Sequence, residues 1–276
     1  MEKTILITGA STGIGYEAAK TLRQMDYRVI ASCRKLADVE RLRAEGFESI
    51  VLDLSDSKSI RQAFQDLMAI TNGQLYALFN NGAYGQPGAI EDLPIAALRK
   101  QFDTNFFGWC ELTGLILPLM IKQGYGRIIQ NSSILGMAAM PLRGAYNASK
   151  YAIEGISDTL RLELIGTGVF VSLIEPGPIR SEFRKNALVA LRDNIDINAS
   201  RHKAIYAKAI QRLEKTESST PFTLEPSAVI KRLLHALEST RPQARYYVTF
   251  PTYLVGFMKR VLPNRWLDKL LVTIGN

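Results

Sequence analysis

Short apolar runs alternate along this chain with longer segments whose apolar residues return every three or four positions. "TILITG" at the start reads as a strand, after which Ile14, Ala18 and Leu22 recur at helical spacing through residue 25. "RVIASCR" is a second strand, and "SIVLDL" at 49–54 a third after a short charged helix. "LYALFNNG" at 75–82 is a fourth, ending in the Asn/Gly signal of a loop. A long helical stretch covers about 92–122, followed by "GRIIQNSS" as a fifth strand. In the helix "GAYNASKYAIEGISDTLRLELI", Ala145, Ala148, Ala152 and Ile156 mark an expected packed face. "VFVSLIEPGP" is a sixth strand cut off by its prolines, and "RYYVTF", after the helix "EPSAVIKRLLHALES", is a last one.

Strands that read as continuous apolar runs, alternating with helices, imply a parallel sheet buried on both faces and built from right-handed βαβ crossovers. The expected fold class is therefore α/β, a doubly wound parallel sheet of about seven strands in a single domain over residues 1–276. In such sheets ligands bind in the crevice outside the carboxyl ends of the strands, where the glycine-rich and Asn/Gly loops of this chain fall. Residues 180–222 break the rhythm and read as a lid or substrate loop. Within it, Phe183, Leu188, Tyr206 and Phe222 form either an apolar lid or ordinary packing onto the domain. Tyr84 and Met137 are candidate pocket walls by position alone.

Composition narrows this picture. Hydrophobic residues make up 47% of the chain, ample for a core. Two cysteines, Cys33 and Cys110, make no disulfide framework, which fits a reducing cytoplasmic compartment. Met1-Glu2-Lys3-Thr4 runs directly into the first strand, so no signal peptide is expected, and no run of eighteen uncharged apolar residues predicts a transmembrane helix. The net charge of +8 is spread among acids, as in "RKLADVERLRAEG", so no nucleic-acid partner is expected. Attraction for an anionic ligand or an acidic membrane surface accounts for the excess. His202 reads as solvated and His235 as packed in a helix; neither has the neighbours of a metal site, and none is expected.

The chemistry begins at "TGASTGIG", where glycines follow the first strand and open a helix. A structural turn and a phosphate-cradling turn both fit the glycines alone. As a dinucleotide turn, Gly9 permits the tight bend, Gly13 admits backbone to a pyrophosphate, and Gly15 allows close helix–strand packing, with Ser11 and Thr12 as further donors. At the end of the second strand, where an acid would hold the ribose of NAD, stand Ser32-Cys33-Arg34-Lys35. Arg34 suits a 2′-phosphate and favours NADP over NAD; a solvated cation pair is the alternative. Tyr146 and Lys150 lie one helical turn apart, so the ammonium can favour the phenolate. Ser133, at the end of the fifth strand, can bind the same substrate oxygen.

In "TGASTGIG", "FNNGAYG", "TNFFG", "NSS", "YNASK" and "EPGPI" the sequence resembles the short-chain dehydrogenases/reductases along most of its length. The resemblance implies a Rossmann fold and a tetrad of Asn105, Ser133, Tyr146 and Lys150, with Asn105 lining a proton relay. It implies cofactor contacts from the glycine turn with Ile14, from Arg34 and Lys35, and from Asp53 and Leu54 near the adenine. Asn80 along the coenzyme and Pro176, Gly177 and Ile179 around the nicotinamide complete that set. One departure stands out: N-N-A-G becomes Asn80-Asn81-Gly82-Ala83, which is expected to move the permissive φ by one position. "RGAYNASKYAIEGISDTLRLEL" and "VSLIEPGPI" look most like the hydroxysteroid and retinol dehydrogenase-like branch, a look shared by bacterial NADP-dependent aldehyde reductases. The implied reaction is hydride transfer between NADP(H) and a lipophilic aldehyde, ketone, retinoid or steroid, Tyr146 protonating the forming alkoxide. A non-catalytic NADP(H)-sensing protein is the alternative of another class. Family members pair through the helices around 105–122 and 145–165, implying a homodimer or homotetramer.

The amphipathic tail at 251–275 carries Lys259, Arg260, Arg265 and Lys269, and Pro263 divides it into two short helices. It reads either as cover for the substrate mouth, as packing on another subunit, or as a weak membrane-surface contact that would make this a peripheral membrane protein.

Overall fold

The computed structural model describes residues 3–214 and 222–275. Seven strands form one all-parallel sheet: β1 (Thr4–Ile7), β2 (Arg28–Cys33), β3 (Glu48–Val51), β4 (Ala77–Asn80), β5 (Gly126–Asn131), β6 (Val169–Glu175) and β7 (Arg245–Tyr247). Their order, β3-β2-β1-β4-β5-β6-β7, reverses between β1 and β4, and that reversal opens the crevice. The third strand is shorter than its apolar run: pairing stops at Val51, while Leu52 and Leu54 bury their side chains in the loop beyond.

Both faces of the sheet are covered. On one lie α1 (Gly13–Gln24), α2 (Leu36–Ala44) and α9 (Ser227–Glu238), packing Leu22, Val39, Leu42 and Leu233 against Ile5, Ile7 and Phe79. On the other lie α3 (Ser57–Thr71), α5 (Gly108–Gln123) and α6 (Gly144–Glu163), with Leu67, Trp109, Ile116 and Ile153 meeting Leu6, Leu78 and Ile128. Residues 55–72 have no element assigned by pattern alone; there Ile60, Ala63, Leu67 and Thr71 make a buried stripe diluted by charged residues.

The long helical stretch is α4 (Ile95–Phe102) running through a π-turn, Asp103–Phe107, into α5. Residues 95–123 are long and apolar enough to cross a membrane by length and composition, but their Trp109, Leu112, Ile116 and Met120 are buried against the sheet.

One expectation is corrected. Ala148 and Ile156 are exposed rather than packed; the inward face of α6 is Ala145, Asn147, Ser149, Lys150, Ile153, Glu154 and Ser157. The inner face of this helix is polar because it borders the crevice, so the apolar stripe lies outside. Residues 180–222, the lid or substrate segment, contain α7 (Phe183–Asn194) and α8 (Lys203–Glu214), and 215–221 lie outside the described residues. The tail forms α10 (Phe250–Val261) and α11 (Asn264–Gly275), separated at Pro263 as its position requires.

Candidate active site

At the carboxyl edge of the sheet a cleft of about 730 Å³ runs from the turn after β1 to the side chains of α6. Its first wall is the glycine turn. Gly9 and Gly13 have φ of +66° and +59°, values that a side chain tolerates poorly. A Cβ on Gly9 would fall 2.5 Å from Gly82 Cα, and one on Gly15 would fall 2.3 Å from Gly9 O, so the turn, the β4 loop and α1 pack backbone to backbone. Thr8 ties them: its hydroxyl accepts from the amides of Asn81 (2.8 Å) and Gly82 (2.9 Å). Gly82 has no positive φ, so the expected shift of permissive backbone does not occur. It is needed for space, since its Cβ would meet Leu54 Cδ1 at 3.0 Å and Gly9 N at 3.2 Å.

The amino end of α1 faces this cleft without a side-chain cap at Thr12 and without an acid in its first turn. Unpaired N–H groups and the positive end of the helix dipole are the features that hold a phosphate. The turn thus fits a dinucleotide pyrophosphate.

The reacting side chains sit across from it. Lys150 is 1% exposed; its Nζ donates to Asn131 O at 2.7 Å and lies 4.3 Å from the Trp109 ring centroid and 5.7 Å from that of Tyr146. Burial pulls its ammonium down to about 7, against a smaller opposing pull from Glu154. Tyr146 packs edge-on against Phe183 at 5.2 Å, and burial pushes its hydroxyl above the ordinary tyrosine value while the Ser133 hydroxyl draws it back less strongly. The expected acidification of Tyr146 by Lys150 is thus not present in the cleft as it stands. Desolvation penalises both charged forms and wins. A phenol that keeps its proton at neutral pH is an acid ready to donate. Ser133 Oγ accepts from Leu135 N at 3.1 Å, which fixes the start of the short turn after β5.

Behind these groups lies a buried carboxyl cluster that local spacing does not reveal. Glu154 accepts from Ser132 Oγ (2.5 Å) and from Arg245 Nε (3.2 Å), while Arg245 Nη2 reaches Asp158 at 2.6 Å. Glu175, 1% exposed, lies 3.1 Å from Arg245 Nε, yet neither of its oxygens receives a well-directed hydrogen bond. Burial, with Glu154 beside it, raises its carboxyl far above the usual range. The cluster braces the residues just before Ser133 and Pro176 from beneath.

The cleft brings together Gly9, Ser11, Thr12, Gly13, Ile14, Ser133, Tyr146, Lys150, Pro176, Gly177 and Ile179. The other candidates lie elsewhere. Gly15 is buried behind the turn. Arg34 and Lys35 are exposed beyond the end of β2, and their side chains make no hydrogen bond or ion pair among the described residues. Asp53 accepts from Ser55 N (2.9 Å) and Oγ (2.7 Å), and Leu54 is buried against Gly82. Asn80 is fully buried, its Nδ2 donating to Thr113 Oγ1 (3.1 Å), so it does not run along the cleft. Asn81 does the joining instead, donating to Thr8 O (3.0 Å) and accepting from Asn131 Nδ2 (2.9 Å). The Asn-Asn doublet was the signal, and only the tertiary structure tells the two apart. Asn105, in the π-turn, is turned toward the Tyr84 backbone (2.9 and 3.1 Å) and Ser149 Oγ (3.3 Å).

Neither suggested wall residue lines the cleft: Tyr84 is clamped by Asn105, and Met137 packs beside Leu135 and Ala138. Met140, Leu142, Phe183, Leu254 and Val255 do line it. Of the suggested lid residues, Phe183 and Phe222 border the cleft, whereas Leu188 does not. Tyr206 is fully buried and bonds Ala89 N and Asp92 Oδ2, which is packing. His202 is not free in solvent but lies 2.5 Å from Glu91 Oε1; His235, expected to be packed in its helix, is exposed on α9, with Tyr246 OH 2.8 Å from its Nδ1. No cluster of potential metal ligands occurs among the described residues.

A family model described as short chain dehydrogenase matches residues 3–190. The chain is similar to the uncharacterized oxidoreductase YbbO of Escherichia coli strain K12, 42% identical over 271 residues, 98% of this chain and 94% of that one. It is 30% identical to human retinol dehydrogenase 8, covering 88% of this chain and 80% of that one. It is 31% identical to the NADPH-dependent 3-dehydrocapnine reductase of Ornithobacterium rhinotracheale, covering 96% and 94%. With the glycine turn, serine, tyrosine and lysine at one sheet edge, these matches place the chain in the short-chain dehydrogenase/reductase family, in its retinol dehydrogenase-like branch, as an NAD(P)-dependent oxidoreductase acting on CH–OH groups.

Proposed function

We propose that the protein reduces lipophilic aldehydes or ketones with NADPH. The carrying observation is a half-buried Tyr146, grouped with Ser133 and Lys150 in a cleft walled by Met140, Leu142, Phe183, Leu254 and Val255, where desolvation favours the protonated phenol. A bound reduced nicotinamide supplies the hydride. Ser133 donates a hydrogen bond to the substrate oxygen and Tyr146 hands its proton to that atom. Lys150 holds a ribose hydroxyl and, once charged, stabilises the phenolate left on Tyr146. Phe183, packed on the tyrosine ring, keeps water from it, and Asn105 holds the β4 loop as a positioning residue. The unpaired side chains of Arg34 and Lys35 at the end of β2, with no acid there, support NADP over NAD, as does the likeness to the NADPH-dependent reductase of Ornithobacterium. A lipophilic carbonyl of the retinoid, steroid or fatty-aldehyde kind suits the apolar walls.

Three further readings complete the proposal. The protein forms a homo-oligomer through α5 and α6, touches membrane surfaces through α10 and α11, and works in the cytoplasm, where its free Cys33 and Cys110 stay reduced.

NADPH and NADH titrations followed by turnover test the core of this. Tyr146→Phe lowers turnover by about 10²–10⁴-fold while still binding NADPH. Arg34→Ala weakens NADPH more than NADH. Undiminished turnover in Tyr146→Phe would remove Tyr146 as the proton donor, and an unchanged coenzyme ratio in Arg34→Ala would sink the NADP assignment.

A further inference from the structure

The cleft is apolar on most of its walls, yet α8 lays two cations along it. On that helix Ile205, Lys208, Ala209, Arg212 and Leu213 share one face by their spacing, and all five line the cleft. Arg212 is the unusual one. It is partly buried, desolvation draws its guanidinium below the ordinary arginine value, and it makes no hydrogen bond or ion pair among the described residues. Among the described residues, Glu214 two positions on in α8 pairs with Arg192 at 2.6 Å, and Glu182, which also lines the cleft, faces Lys185 at 3.4 Å. Arg143, also on the cleft, directs its Nη1 at Met140 Sδ. A desolvated guanidinium without a counter-charge costs free energy that a bound anion recovers. The dinucleotide's own phosphates have their cradle at the amino end of α1, on another element.

We infer that the substrate is an apolar carbonyl compound carrying an anionic end group, a carboxylate or an acid of similar charge, which Arg212 holds with Lys208 one turn before it. The inference rests on the reductase reading for the carbonyl end and on α8 alone for the anionic end. The carbonyl lies at Tyr146, the chain crosses the apolar walls, and the charge stops at the guanidinium fork.

Two measurements test it. NADPH oxidation is followed with dodecanal and with 12-oxododecanoate, the same chain bearing a terminal carboxylate, in the wild type, Arg212→Gln and Arg212→Lys. The ratio of kcat/KM for the charged over the neutral aldehyde is expected to exceed about tenfold in the wild type. It falls toward one in Arg212→Gln and is largely kept in Arg212→Lys. A wild-type ratio near one, or a ratio untouched in Arg212→Gln, overturns the inference and leaves the reductase standing. In parallel, calorimetry measures dodecanoate binding to the NADP-loaded protein. If neither aldehyde is turned over but dodecanoate binds and Arg212→Gln abolishes it, the anion site stands and the reductase reading falls. If dodecanoate does not bind, or Arg212→Gln weakens NADPH itself by the same factor, Arg212 is no substrate anchor.

Discussion

Lys150 is the residue whose state decides the chemistry. Its ammonium is buried against Trp109 and drawn down to about 7, so above neutral pH the free protein holds much of it uncharged. An anionic coenzyme arriving beside it favours the charged form, so binding near pH 8 must take up a proton. The sign follows from the depressed starting value: a lysine at its ordinary 10.5 would already be charged and would take up none. Calorimetry of NADPH binding in buffers of different ionisation enthalpy should show uptake approaching one proton, lost in Lys150→Met; zero uptake in the wild type would contradict the assignment. The spacing of Tyr146 and Lys150 is readable from sequence because one helix turn sets it. The Trp109 ring, the Asn131 carbonyl and the Glu154–Glu175–Arg245 cluster are not, because partners dozens of residues apart meet only when strands align. The same limit explains why the sequence does not tell that Asn80 is buried on Thr113 while Asn81 ties the loops after β1 and β4 together.

Among the elements, α5 and α6 carry the clearest unspent surface. Phe107 is 56% exposed at the head of α5, and Ile121 is exposed near its end. On α6, Ala148, Tyr151, Ile156 and Leu162 are exposed. Gly114 and Gly155 on these helices have nothing within 4 Å of where a Cβ would stand, so a second backbone can approach closely there. Apolar helix faces with small residues at intervals suit a twofold contact between copies. Ile156→Arg is expected to shift the protein toward monomer in analytical ultracentrifugation, a charge at a desolvated contact costing on the order of 2 kcal/mol or more; an unchanged sedimentation coefficient would rule out this face. The strands and most helices were legible because continuous apolar runs and 3.6-residue periodicity survive without tertiary context. The failures at α3 and at the outer stripe of α6 have one cause. Charged residues diluted the first pattern, and in the second an apolar stripe was assigned inward although a helix bordering a polar crevice and an oligomer contact can turn it outward.

At the scale of the whole molecule, the tail joins the cleft to the outside. Val255, Leu267 and Leu271 are buried against Ile134, Leu135 and Ala138, and Lys259 Nζ donates to Met137 O, so α10 and α11 are built onto the loop that carries Ser133. Phe250 and Leu254 both line the cleft and are exposed at its mouth. The outer surface then continues with Phe257, Val261 and Trp266, 63%, 55% and 69% exposed, among Lys259, Arg260, Arg265 and Lys269. Aromatic and aliphatic side chains ringed by cations match an anionic bilayer surface, and a mouth opening beside them would admit a lipophilic substrate directly from the acyl region. Deleting the tail would not test this, since it would also dismantle the cleft wall. Phe257→Ser combined with Trp266→Ser removes exposed apolar surface at two residues that do not themselves line the cleft. Sedimentation with vesicles containing about one-third anionic lipid should pull down the wild type and release it as salt rises, because exposed charges are screened beyond a Debye length of about 10 Å at 0.1 M. The double variant should remain in the supernatant while reducing a small water-soluble aldehyde at the wild-type rate. Equal pull-down of both proteins would place any membrane attachment elsewhere, and loss of soluble turnover would show that these two side chains support the cleft instead.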